Sequence, residues 1–98
     1  MGFEIFKTTE FSEWFETQPL KTKIIVEARL SRLAEDKHWG FVNRFDALTE
    51  LKWTSGLRVY TAVVKGVTVI ILLGGNKNGQ EKDIRKAKAI LKKYADSR

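Results

Sequence analysis

The 98-residue sequence predicts an α+β fold built as a strand, two helices, three consecutive strands and a closing helix. Three observations predict it. Residues 3–7 (FEIFK) alternate apolar and polar side chains, the period of a strand. Between residues 11 and 35 apolar side chains recur at helical spacing, as Phe11, Trp14 and Phe15, then Leu20, Ile24 and Ala28 beside Val26, Leu30 and Leu33. From Glu50 to Asp83 two tight turns separate β-branched runs, and Ile84, Ala87, Leu91 and Tyr94 then share one face of a helix.

Each element has a local reason. Thr8 or Thr9 can cap the first helix, with Glu10 in its first turn, where the helix dipole favours acid. Pro19 separates that helix from the second, predicted at 20–35. The second helix is apolar over so wide a surface that sheet and first helix should both pack on it, with any surplus left for a partner. Residues 36–47 hold His38, Trp39, Gly40, Phe41, Asn43 and Arg44 without a period and read as a loop. Strands follow at 48–53, 57–65 and 67–74. Thr54-Ser55-Gly56 makes the first turn, where Gly56 can take a positive φ. Lys65-Gly66 makes the second, a two-residue hairpin turn. Residues 74–79 (GGNKNG) read as a loop, and the last helix spans 80–95, with Glu81 and Asp83 in its first turn. Such short turns make the sheet small, twisted and mostly antiparallel. With no repeat or composition shift, one domain is expected over 1–98.

Composition narrows the function classes. A hydrophobic share of 43% with regular patterning indicates a folded chain, not a disordered tail. No cysteine is present, which excludes disulfides and thiolate metal sites. No signal peptide and no apolar run long enough to span a bilayer is visible, so a cytoplasmic protein without a membrane partner is expected. The net charge of +6 favours an anionic partner, nucleic acid above all. HExxH, GxGxxG, Walker A and GxSxG patterns are absent, and the one histidine, His38, has no evident carboxylate or nucleophile partner. No metal and no cofactor are expected.

The turns themselves point to a site. A three-residue turn pairs Trp53 with Leu57, so Lys52 lies opposite Arg58 and Glu50 opposite Tyr60. Alternation puts Lys52, Arg58 and Tyr60 on one face. A two-residue turn at Lys65-Gly66 would set Tyr60 opposite Ile71 and Arg58 opposite Leu73. Opposed like charges weaken a strand pair by roughly 0.2–1 kcal/mol, and an anion between them would reverse the sign. The loop after the third strand emerges beside Arg58 and brings Lys77, near a helix N-terminus whose free N–H groups favour anions. Tyr60 can stack a base or donate a proton.

Cations alone can serve RNA cleavage. The ribose 2′-hydroxyl attacks its own 3′ phosphate, so the nucleophile is already tethered to its target. The protein must orient that hydroxyl, neutralise the developing phosphorane and assist the leaving 5′ oxygen. Arg and Lys supply fixed positive charge for the second task, and a lysine crowded by other cations can exchange a proton.

Three signatures carry a family resemblance: Phe11, Trp14 and Phe15 (FxxWF), the segment ELKWTSGLRVY from Glu50 to Tyr60, and LLGGNKNGQEKDIRKAK from Leu72 to Lys88. With the element order, they resemble the RelE/ParE toxin superfamily over nearly the whole chain, closest to its HigB-like addiction-module killer group. The resemblance implies a RelE-like fold and a toxin of a type II toxin–antitoxin pair that cuts mRNA on the ribosome. It implies a catalytic set of Arg58, Lys52 and Lys77. For a chain that cuts RNA, further RNA contacts are expected from Arg44, Tyr60, Gln80, Lys82, Arg85 and Lys86. Gln80 and Asp83 match polar positions common in the subgroup. Some relatives use a C-terminal Tyr or His catalytically; here Tyr94 would serve only if the helix end folds over the site. The implied partners are a helix-turn-helix antitoxin, the ribosome and mRNA, and operator DNA through the antitoxin. The same superfamily contains ParE-like inhibitors of DNA gyrase, and a non-catalytic relative that binds only antitoxin and operator is the third reading.

Overall fold

A computed structural model describes residues 2–96; positions 1, 97 and 98 of the expected 1–98 unit lie outside the described residues. The elements are β1 (Glu4–Lys7), α1 (Thr9–Glu16), α2 (Leu20–Asp36), β2 (Val42–Phe45), β3 (Leu48–Lys52), β4 (Leu57–Val64), β5 (Thr68–Asn76), a 3-10 turn (Lys77–Gly79) and α3 (Gln80–Asp96). They form one five-stranded sheet in the order β1-β5-β4-β3-β2. β1 pairs parallel to β5, and every other neighbour pair is antiparallel. The fold is α+β, as predicted.

β2 corrects the loop expected at 36–47. Val42 pairs with Leu51 and Phe45 with Leu48, closing a hairpin through Asp46-Ala47. Asp46 takes the left-handed conformation there, φ 53°, which Asp tolerates better than most residues. The strand is short and its turn lacks glycine, so neither periodicity nor the usual hairpin dipeptide marks it.

Apolar side chains from the two sheet faces feed two cores. On one face Leu51, Val59, Val69 and Ile71 meet Phe11 of α1 and Val26, Leu30 and Leu33 of α2. On the other, Leu48, Ala62, Ile70, Leu72 and Leu73 meet Ala87 and Ile90 of α3. The expectation that α2 packs on two sides is corrected. Its Val26/Leu30/Leu33 row is buried, whereas Leu20 and Ile24 are 73% and 58% exposed.

Thr8 is the cap of α1 and is fully buried. Its hydroxyl accepts from the Phe11 N–H at 3.0 Å and lies 2.9 Å from the Ile71 carbonyl, to which it can donate. One side chain thereby satisfies a helix end and ties it to β5.

The β4–β5 register departs from the two-residue turn. Val64 pairs with Thr68, so three residues make the turn, with Lys65 and Gly66 both at positive φ. A bulge then adds a residue on β5: Thr61 pairs with Ile71, but Tyr60 pairs with Leu73. Leu72 is the extra residue, and both Leu72 and Leu73 join the core under α3. Arg58 consequently faces Gly75, not Leu73. The strand also runs on to Asn76, so Gly74 and Gly75 belong to β5 and not to a loop.

Candidate functional site

The β3–β4 hairpin has the predicted register. Lys52 pairs with Arg58 and Glu50 with Tyr60. Gly56 adopts φ 102°, a conformation open to glycine, and its N–H donates to the Trp53 carbonyl at 3.0 Å. This turn fixes two cations at once. Arg58 Nη1 donates to the carbonyls of Trp53 (3.1 Å) and Leu57 (2.9 Å). The Lys77 N–H donates to the Gly56 carbonyl at 2.8 Å, and a Cβ placed on Gly56 would just touch the Lys77 stem. Lys52, Arg58 and Lys77 therefore share one corner of the sheet, as the sequence predicted.

Cross-strand pairs form rows across the face that α3 covers. Leu48, Ala62 and Ile70 are buried and apolar. The next row holds Asn43, Glu50, Tyr60 and Leu73. The outer row holds Lys52, Arg58 and Gly75. Moving toward the strand ends, the face grades from oil to buried polar groups to a charged rim.

Glu50 lies in the middle row and is fully buried. Its carboxylate accepts from Gln80 Nε2 at 2.8 Å and Asn43 Nδ2 at 3.2 Å, and stands 3.8 Å from Arg58 Nε. Arg58 is itself only 9% exposed. The anion expected between the opposed cations is thus supplied in part by the chain itself. The sequence places Glu50 opposite Tyr60 without marking a role for it; the available signal is its place one row in from the opposed Lys52 and Arg58 on the same face.

Tyr60 is corrected as an RNA contact. The ring is fully buried in the core under α3 and cannot stack a base. Its hydroxyl faces the Glu50 carboxylate without reaching a well-formed hydrogen bond among the described residues. Burial, then the nearby Glu50 charge, pushes the phenol well above its ordinary value, so it stays protonated.

The exposed aromatic beside the cations is Phe41, at 55%. Lys52 Nζ sits 4.6 Å from its ring centroid. Arg29 of α2 builds this corner from the opposite face. Its guanidinium donates to the carbonyls of Lys52 (2.7 Å), Trp39 (2.9 Å) and Phe41 (3.0 Å) and lies 4.4 Å from the Trp53 ring centroid. Burial, with Arg32 adding to it, lowers the Arg29 pKa from its ordinary value. The clue in the sequence was an arginine beside the buried row of α2.

The remaining predicted contacts divide. Gln80 joins the site through Glu50. Lys82, Arg85 and Lys86 are exposed on the first turns of α3. Arg44 lies apart: it pairs with Thr49, donates to its hydroxyl at 2.7 Å and stacks near Trp39 at 5.1 Å, on the α2 side of the sheet. Tyr94 does not fold over the cations. Its hydroxyl accepts from the Thr9 N–H and donates to Glu10, each at 3.2 Å, and its ring meets Phe6 at 5.7 Å. Fourteen residues after Gln80, it is about 21 Å farther along the helix. Among the described residues no group of three or more His, Cys, Asp or Glu is placed to hold a metal, and no helix is long and apolar enough to cross a membrane.

Asp83 sits over Gly75, where an added Cβ would come within 2.2 Å of its Oδ2. Burial raises its carboxyl above the ordinary 3.8, opposed by Lys86 and Lys82. The folded chain thus holds the Asp83 proton more tightly than the unfolded chain. Its contribution to stability falls as pH rises from that ordinary value through the raised one. Asp83→Asn is expected to raise the melting temperature at neutral pH and to flatten its decline above about pH 4 in thermal melts. An unchanged slope would show that the buried charge carries no penalty.

No protein-family model matches the chain. An uncharacterized protein of Haemophilus influenzae is 34% identical over 93 residues, covering 92% of this chain and 94% of that protein. The two chains belong to one family. The fold has a solved counterpart in the crystal structure of the RelBE2 toxin–antitoxin complex of Mycobacterium tuberculosis. One chain of that complex superposes with a TM-score of 0.61 and 16% identity, over 78% of this chain and 99% of its own length. The fold is accordingly RelE-like.

Proposed function

We propose that the chain is the toxin of a toxin–antitoxin pair and inhibits translation by cutting mRNA on the ribosome. The observation that carries this reading is the convergence of Lys52, Arg58 and Lys77 on one glycine turn, within a fold found in a toxin–antitoxin complex. In this reading the ribose 2′-oxygen gives up its proton and attacks the adjacent 3′ phosphorus, and the bond to the 5′ oxygen breaks; that oxygen takes up a proton from solvent and leaves as a 5′-hydroxyl end, and a 2′,3′-cyclic phosphate remains. Arg58 stabilises the phosphorane, Lys52 orients or deprotonates the 2′-hydroxyl, and Lys77 grips a phosphate. The face available to stack a base is that of Phe41, not Tyr60. Lys82, Arg85 and Lys86 add phosphate contacts along α3. HigB-like membership fits the three sequence signatures. A cognate helix-turn-helix antitoxin is the expected partner, and the exposed Leu20 and Ile24 on α2 offer it an apolar foothold. Operator DNA would be reached through that partner.

The test is cleavage of a defined mRNA on programmed ribosomes. Lys52→Ala and Lys77→Ala are each expected to lose about 10²–10³-fold in rate, with stability kept within about 1 kcal/mol. Wild-type protein that leaves the mRNA whole but lowers supercoiling by gyrase would replace this reading with the ParE-like one. Absence of both effects, with antitoxin binding intact, would support a non-catalytic relative.

A further inference from the structure

We infer that Glu50 is the positioning residue of this site, holding the Arg58 guanidinium at the rim and coupling it to the start of α3. The inference rests on the reading that Arg58 works on phosphate. Its grounds are geometric. A buried carboxylate is costly unless donors surround it, and Glu50 has one from β2 and one from α3, with the β4 guanidinium 3.8 Å away. Asn43, Gln80 and Arg58 thus meet on a single side chain, which makes Glu50 the junction of β2, β3, β4 and α3.

The pairing with Arg58 is incomplete in an informative way. A separation of 3.8 Å is too long for a hydrogen bond. Among the described residues the buried Arg58 Nε has no hydrogen-bond partner, and the buried Tyr60 hydroxyl also turns toward Glu50 without a well-formed hydrogen bond. A group serving stability alone would be better replaced by a packed apolar side chain, since buried ion pairs gain little after desolvation. What the carboxylate does supply is direction. The turn carbonyls fix one nitrogen of the guanidinium, the Glu50 charge draws Nε inward, and rotation about the remaining bonds is suppressed. It also offsets the repulsion between Lys52 and Arg58 across the strand pair.

Two readouts test this. The first is the ¹⁵N Nε–Hε NMR signal of Arg58, which does not depend on activity. In Glu50→Gln that signal is expected to shift and to exchange faster with water than in the wild type. The second is ribosomal cleavage, where kcat is expected to fall about 10²-fold with KM nearly unchanged, the signature of a misplaced group. Gln80→Ala, which frees the carboxylate from α3 without removing it, should show the same changes in weaker form and serves if Glu50→Gln does not fold. An unmoved Arg58 signal overturns the inference, as does a moved signal with wild-type kcat. Activity that falls only in proportion to the unfolded fraction, and returns fully on cooling, also overturns it. If the wild type does not cleave mRNA, the proposed function fails, while the NMR arm still decides whether Glu50 orients Arg58.

Discussion

Arg58→Ala is expected to abolish mRNA cleavage and to destabilise the fold at the same time. Removing one member of a buried ion pair leaves the other uncompensated, at a cost of about 3–5 kcal/mol. The survivor here is Glu50, fully buried beneath α3. For a chain of this size that loss lowers the melting temperature by about 12 °C or more. Arg58 is only 9% exposed, so its removal does not spare the fold. Loss of toxicity in Arg58→Ala alone would therefore be ambiguous. Arg58→Lys separates the effects, since it keeps a charge facing Glu50 but loses the planar fork that grips phosphate. Thermal unfolding and ribosomal cleavage should be measured together. A folded Arg58→Lys that cleaves at the wild-type rate would remove Arg58 from the catalytic set.

Gly74→Ala is expected to damage folding severely without touching a charge. Its Cβ would lie 2.3–2.4 Å from three atoms of the Trp14 indole. Neither side can yield cheaply. Gly74 is buried in β5, and Trp14 packs against Phe11 in α1, whose cap Thr8 reaches back to β5 at Ile71. The ring must leave the sheet and take α1 with it, at about 3 kcal/mol, the upper range for overpacking. Chemical denaturation gives the value. Trp14→Leu in the same chain should recover part of the loss, with a coupling of about 1 kcal/mol or more. A denaturation midpoint equal to wild type would show that the packing here is loose. Gly75 differs: its added Cβ meets the end of the Asp83 side chain, which can swing away.

These substitutions show where sequence reading reached and where it stopped. The β3–β4 register was legible because Thr54-Ser55-Gly56 is a local signal, and the register alone set Lys52 against Arg58. The β4–β5 register was not. A three-residue turn and the bulge at Leu72 shifted Arg58 onto Gly75, and the bulge serves Leu73, which fills the core under a distant helix. Strand β2 escaped notice because four residues between aromatic and polar neighbours show no period until β3 pairs with them. Arg29 and Glu50 carry no mark in the sequence for a shared reason: a charged side chain reads as solvated unless its partner is known.

What the sequence determined by itself is local: turn residues, helix caps, apolar periods and the convergence of three cations that follows from them. Which polar groups are buried depends on how α3 packs across the sheet. When α3 lies across β3 and β4, Tyr60 becomes core, Glu50 becomes the counter-charge of Arg58, and Phe41 is left as the exposed ring beside Lys52. Range explains the difference. Backbone preferences act over a few residues, whereas burial, and the charge pairing it enforces, depends on surfaces far apart in sequence, 30 positions for Glu50 and Gln80 and 85 for Thr9 and Tyr94.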